Sequence, residues 1–184
     1  MKILISGIAG RMGQELLKEI EESDDFIACA GYDKIKCNNR IPVYDNIEKI
    51  KEKPDVIIDF SNPSATFNIL KYAKENIIPI VIATTGFNDS ETKIINEEYA
   101  KLIPIFKSNN MSYEISLMSE IISNLATKLK EADIEIIETH HRNKIDSPSG
   151  TALMLADSIN ETLGNKLEYV YDRHDKKNKR SNTE

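Results

Sequence analysis

The first 33 residues constrain this chain more than any other stretch. Ile3-Leu4-Ile5 is a short apolar strand, followed at once by Gly7-Ile8-Ala9-Gly10-Arg11-Met12-Gly13. Met12, Leu16 and Ile20 then recur at helical spacing, which predicts a helix over 11–22 with that face buried. A second strand over 26–32 ends at Asp33, 20 residues past Gly13. Strand, glycine turn, helix, strand and acid, in that order, is the layout of a dinucleotide-binding βαβ unit. Gly7 permits the tight turn, Gly10 lets backbone approach a pyrophosphate, and Gly13 lets the helix pack close to the strand. The first spacing is Gly-x-x-Gly, a looser form of the motif, and its strand-helix-strand setting carries the reading. Asp33 is placed to accept bonds from ribose hydroxyls, which favours NADH. Lys34 beside it offers a charge for the extra phosphate of NADPH, so either cofactor is expected.

The pattern repeats downstream. Residues 55–60, 78–83 and 103–106 are short apolar runs rich in β-branched residues, each followed by a polar loop. Ser61-Asn62-Pro63 reads as a helix start, with a capping residue before proline. A further helix is expected over 90–101, and residues 41–53 read as a connection with a possible helical turn. Alternating strands and helices imply an α/β, Rossmann-like parallel sheet whose ligands lie beyond the carboxyl ends of the strands. The loops at 7–13, 61–63, 84–86 and 108–112 then fall along one edge.

After Ser112 the character changes. Residues 113–130 predict a long amphipathic helix with Ile115, Met118, Ile122, Leu125 and Leu129 in a stripe, expected to pack on a sheet. An apolar strand is expected over 133–139, then a basic turn, then a helix from Ser149 to about Leu163. The division is therefore a dinucleotide-binding domain over 1–112, a partial α+β substrate-binding and oligomerisation lobe over 113–171, and a charged, mobile tail over 172–184. One strand has no pairing partner of its own, so the second lobe is expected to pack loosely or lean on a partner chain.

Chemistry-bearing side chains concentrate in Glu138-Thr139-His140-His141-Arg142-Asn143-Lys144-Ile145-Asp146-Ser147-Pro148-Ser149-Gly150-Thr151-Ala152. It holds two of the three histidines, two cations, and the N–H groups of a helix start at Ser149 to Thr151. Proton donors near neutral pH, fixed positive charge and a helix N-terminus suit a small anion bearing carboxylates. The net charge of −6 argues against nucleic acid as a partner. No apolar run approaches the ~20 residues a membrane span needs, and the N-terminus lacks a signal peptide's layout, which points to a cytoplasmic enzyme. Cys29 lies in an apolar run and Cys37 in a polar loop, so neither a metal site nor a disulfide is expected.

The glycine turn, Asp59-Phe60-Ser61, Thr84-Thr85-Gly86 and the histidine block together resemble the dihydrodipicolinate reductase family, the nicotinamide-dependent enzymes of lysine and diaminopimelate biosynthesis. The resemblance covers Met1 to about Leu163. Family members continue further, and nothing after Tyr171 resembles that portion, so the chain is expected to lack the family's C-terminal part. The resemblance implies that Gly7, Gly10, Arg11, Met12 and Gly13 line the cofactor, with Asp33 at its adenosine ribose. Ala83, Thr85, Ser108 and Met111 would border the nicotinamide. His140 would be the proton donor and Lys144 the second catalytic group, with His141, Gly150 and Thr151 contacting a dicarboxylate substrate. A homotetramer built through the substrate-domain sheet is implied as well. Two rival readings are a catalytically impaired nucleotide-binding paralogue or truncated form, and a reductase of another small dicarboxylate.

Overall fold

The computed structural model describes residues 1–37, 39–144, 147–174 and 177–184. Ile145 and Asp146 of the histidine block, and Asp175 and Lys176 of the tail, lie outside the described residues. The chain divides into two compact units, Met1–Ser108 and Asn109–Glu184.

The first unit is a six-stranded, all-parallel sheet with helices on both faces. Its elements are β1 (Lys2–Ser6), α1 (Arg11–Glu21), β2 (Ile27–Tyr32), β3 (Val43–Tyr44), β4 (Val56–Asp59), α2 (Pro63–Asn76), β5 (Ile80–Ile82), α3 (Asp89–Ile94) and β6 (Ile105–Lys107). The strands lie in the order β3-β2-β1-β4-β5-β6, so the order reverses between β1 and β4. Ligands of open α/β sheets bind at that reversal, outside the carboxyl ends of the strands. Alternation along the strands splits the core. Ile3 and Ile5 face Leu17 and Ile20 of α1, while Leu4, Ile57, Ile80 and Ile82 face Ile69, Leu70 and Ala73 of α2. Burying a side chain of the size of Ile69 or Leu70 contributes about 1.5–3 kcal/mol. Asn62 caps α2 by accepting from Ala65 N, and Pro63 occupies the first turn, where it loses no intrahelical bond.

Three details depart from the expectations. The buried face of α1 is Gly13, Leu17 and Ile20, and Met12 is 56% exposed. Each four-residue step of a 12-16-20 spacing advances about 400°, drifting ~40° past a full turn every time, whereas 13-17-20 pairs a four- with a three-residue step and stays on one side. The 41–53 connection contains β3, paired to β2 through Gly31↔Val43 and Tyr32↔Tyr44, beside the 3₁₀ turn Ile47–Lys49. The helix expected over 90–101 begins as α3 at a capping box of Asn88 and Glu91, then widens into a π turn over Ile95–Tyr99.

In the second unit, α4 (Tyr113–Lys128) and α5 (Gly150–Thr162) pack on each other. Ser119 Oγ meets Ser158 Oγ at 2.7 Å, and Ser123 Oγ donates to Ser158 O at 3.3 Å. Among the described residues of this unit there is no sheet for α4 to pack on, contrary to the expectation: within α4 only Ala126 is buried, while Met118 and Leu125, and Leu129 at its C-cap, are exposed. The expected strand over 133–139 likewise carries no strand pairing, and Ile137 is 86% exposed. The physical reason is the same for both. A strand exists through its ladder, and among the described residues no second strand lies beside this one. The tail nevertheless touches this segment, where Arg180 Nη1 pairs with Glu135 Oε1 at 2.8 Å and Nη2 donates to Ile134 O at 3.2 Å.

Candidate active site

In the first unit, the glycine turn joins β1 to α1 at the point where the strand order reverses. Gly7 has φ +77°, and a Cβ there would lie 2.4 Å from Phe60 O. A Cβ on Gly13 would lie 2.3 Å from Gly7 O and 2.7 Å from Ile8 Cα. Turn, helix and the strand β4 exit thus approach one another through backbone alone. Gly10 is the N-cap of α1, and no side chain caps it. The first-turn N–H groups of a helix have no intrahelical acceptor, so α1 begins as a cradle for an anion. Arg11 and Met12 are exposed in that first turn.

Asp33, at the end of β2, reaches back to this cradle. Its Oδ2 accepts from Ala9 N at 2.9 Å and its Oδ1 from Ile35 N at 2.9 Å. The carboxylate is therefore fixed against the glycine turn, with exposed Lys34 next in sequence. At the ends of the neighbouring strands, Ala83 N donates to Asp59 O at 2.9 Å and Ser108 N to Ile82 O at 3.2 Å. Thr85 is exposed in the loop after β5. Among the sequence-read cofactor residues, Gly7, Gly10, Arg11, Met12, Gly13, Asp33, Lys34, Ala83, Thr85 and Ser108 belong to this unit, and Met111 belongs to the other.

In the second unit, the histidine block folds into a turn, with Lys144 N donating to His141 O at 3.1 Å and Asn143 N to His141 Nδ1 at 3.1 Å. Ser149 caps α5 by accepting from Ala152 N. Glu138, to which the sequence reading gave no role, joins the two halves. Its Oε1 accepts from Ser149 N at 2.8 Å, its Oε2 bonds the Ser149 hydroxyl, and Oε2 lies 3.8 Å from His140 Nδ1. A carboxylate of the chain itself thus takes up both the N–H and the hydroxyl of Ser149 at the helix start. Asn110, within the 108–111 loop read for the nicotinamide, makes a second such link: its Nδ2 donates to Thr151 Oγ1 at 3.0 Å and its Oδ1 accepts from Ser112 N, tying the start of α4 to that of α5. Neither contact has a local sequence signal, since the partners stand 11 and 41 positions apart. An open cleft of about 590 Å³ adjoins this region, with Glu138, Pro148, Tyr169 and Arg180 on its walls.

The bonds from Ser149 hold the Glu138 carboxyl below the ordinary carboxylate range, with the charges of His140 and Lys144 adding to the effect. A depressed carboxylate contributes stability that is present above its unfolded value, 4.5, and is lost as pH falls through the lower folded value. The contribution is small, because the side chain is partly exposed and its charge is screened. Glu138→Gln should therefore flatten the acid limb of the stability curve. Thermal unfolding followed from neutral pH down to pH ~3 checks this; parallel curves for variant and parent would remove Glu138 from the account.

Among the described residues no group of His, Cys, Asp and Glu is arranged to hold a metal ion, and no helix is long and apolar enough to cross a membrane. Both cysteines are free.

Comparison with known proteins identifies the whole chain. Residues 1–111 match the family model described as dihydrodipicolinate reductase, N-terminus, and residues 114–184 match its C-terminus. The chain is 44% identical over 184 residues to the 4-hydroxy-tetrahydrodipicolinate reductase of Caldanaerobacter subterraneus subsp. tengcongensis, covering 100% of this chain and 73% of the relative. It is 42% identical to the enzyme of the same name from Clostridium tetani, covering 97% and 71%. Among solved structures, dipicolinate-bound dihydrodipicolinate reductase from Paenisporosarcina sp. TG-14 superposes with a TM-score of 0.73 at 27% identity, covering 97% of this chain and 71% of that one. These matches correct the expectation that likeness ends near Leu163, because the C-terminal family model runs through the charged tail to residue 184. The chain belongs to the dihydrodipicolinate reductase family.

Proposed function

We propose that the chain reduces 4-hydroxy-tetrahydrodipicolinate to tetrahydrodipicolinate with NADH or NADPH, in lysine and diaminopimelate biosynthesis. The observation that carries this reading is the family match along the full chain at 44% identity, with the histidine block at the start of α5 intact. The glycine cradle fits a dinucleotide: two positions where a Cβ would strike backbone, and a helix that starts without a side-chain cap. Gly7, Gly10, Arg11, Met12 and Gly13 hold the pyrophosphate, with Asp33 and Lys34 at the adenosine ribose. Ala83, Thr85, Ser108 and Met111 border the nicotinamide.

When bound, the reduced nicotinamide supplies the hydride. The residues of the second unit bind the substrate and manage charge. Thr151 and Gly150 present helix-start N–H groups to one carboxylate, and Lys144 and His141 add positive charge and a donor. Hydride arrival makes the substrate electron-rich, so a proton must follow, and His140 is the group placed to donate it. Glu138 Oε2 lies 3.8 Å from His140 Nδ1 and orients that imidazole in this reading. A cytoplasmic location belongs to this reading, and a homotetramer follows where the substrate domain is complete.

Asp33 decides the cofactor preference. A carboxylate accepts from free ribose hydroxyls and repels a ribose phosphate, while Lys34 softens the bias and leaves dual use. Loss of a hydrogen bond to a charged group costs about 1.5–3 kcal/mol. Asp33→Ala should therefore weaken NADH by roughly 10- to 100-fold and NADPH by less. Calorimetric titration of each cofactor checks this, and unchanged affinity for both would exclude Asp33 from the site.

A further inference from the structure

Asp59 ends β4 and is fully buried, on an otherwise apolar strand. Four hydroxyls converge on it. Ser6 Oγ and Ser61 Oγ donate to Oδ1 at 2.6 and 2.5 Å, and Thr66 Oγ1 and Thr84 Oγ1 donate to Oδ2 at 2.5 and 2.9 Å. An ionised carboxylate is acceptor-only, with about four lone-pair sites on its two oxygens. Four donors match that capacity, and complete hydrogen bonding is what makes a buried carboxylate tolerable.

The donors come from four separate places. Ser6 ends β1 and precedes Gly7; Ser61 opens the loop after β4; Thr66 lies on α2; Thr84 precedes Thr85 after β5. Ser6 and Asp59 are partners in the last rung between β1 and β4, so their bond spans the point where the strand order reverses. Further bonds run alongside: the backbone pairs Phe60 N to Ser6 O at 3.0 Å and Ala83 N to Asp59 O at 2.9 Å, and Ser61 N donating to the Thr84 hydroxyl at 2.9 Å. Phe60 O is the atom against which Gly7 sits. Any displacement of residues 59–61 therefore reaches the glycine turn on one side and the loop after β5 on the other.

We propose that Asp59 is a positioning residue for the nicotinamide cofactor, its buried carboxylate clamping the loops after β1, β4 and β5 at one mutual geometry. The proposal rests on the cofactor reading above. Asp59→Asn keeps the shape but turns one acceptor oxygen into a donor facing hydroxyls. NADH affinity by calorimetry and cofactor KM should worsen by ~10- to ~100-fold, the scale of a misplacement of about 1 Å, with substrate KM at saturating cofactor unchanged. Ser6→Ala and Thr66→Val provide the contrast, since each removes one donor, the first beside the glycine turn and the second on α2. Ser6→Ala should raise cofactor KM more than Thr66→Val at an equal or smaller loss of Tm. This pair decides the matter even if Asp59→Asn fails to fold. Parental NADH affinity in folded Asp59→Asn, or cofactor KM that simply follows Tm in the pair, would overturn the positioning role. A parent chain that binds neither NADH nor NADPH would overturn the cofactor reading, and this proposal with it.

Discussion

His140→Gln is expected to lower turnover by roughly 10²–10⁴-fold, the range typical of general acid–base catalysis. Glutamine preserves a polar group of similar reach but has no proton to give near neutral pH. His140 stands on the turn that precedes α5 and is not one of the residues assigned to the cofactor, so cofactor affinity should hardly change. Lys144→Ala is expected to slow turnover too, and to weaken substrate binding as well, because an ammonium that meets a substrate carboxylate contributes in the ground state and more strongly in the transition state. The two variants thus separate in steady-state kinetics: His140→Gln falls mainly in kcat, Lys144→Ala in both kcat and KM. Near-parental turnover in His140→Gln would show that another group donates the proton.

Gly7→Ala and Gly13→Ala are expected to have the largest effects on folding. At Gly7 the methyl group meets two obstacles, a φ of +77° and Phe60 O at 2.4 Å. A left-handed non-glycine residue costs about 1–3 kcal/mol, and overpacking adds about 1–3 kcal/mol. At Gly13 the obstacles at 2.3 and 2.7 Å are the backbone of Gly7 and Ile8, which no rotamer change relieves. Gly7→Ala should therefore lose about 2–6 kcal/mol of stability and Gly13→Ala about 1–3 kcal/mol, each losing cofactor affinity with it, since turn and helix start move apart. Gly150→Ala is the control for stability, because nothing lies within 4 Å of a Cβ there. Chemical denaturation of the three variants checks the order. Gly7→Ala with parental stability would mean that turn and β4 exit are not in contact as described.

Much of the first unit could be read from the residues because its strands are buried on both faces, so runs such as Ile80-Val81-Ile82 are continuously apolar and need no partner to be noticed. The cap at Asn62-Pro63 is a local device and was equally visible. What escaped depends on contacts between distant residues. β3 is two residues long and exists only through Gly31 and Tyr32. Asp59 reads as a polar end to an apolar run; its partners at Ser6 and Thr84 lie 53 and 25 positions away. Glu138 was visible as part of the histidine block, yet its bond to Ser149 has no spacing rule behind it. The apolar pattern of residues 134–137 misled for the opposite reason, because a strand-like pattern is necessary for a strand but a neighbour is what makes one.

Turnover by the 184-residue chain itself tests most directly whether it is a working member of its family. Purified protein is mixed with freshly generated 4-hydroxy-tetrahydrodipicolinate and NADH or NADPH, and loss of the reduced nicotinamide absorbance is followed. Oxidation of cofactor should require the substrate, saturate in it and fall away in His140→Gln. Tight cofactor binding with no substrate-dependent oxidation of either nucleotide would contradict this, and would leave the chain a nucleotide-binding relative of the reductases.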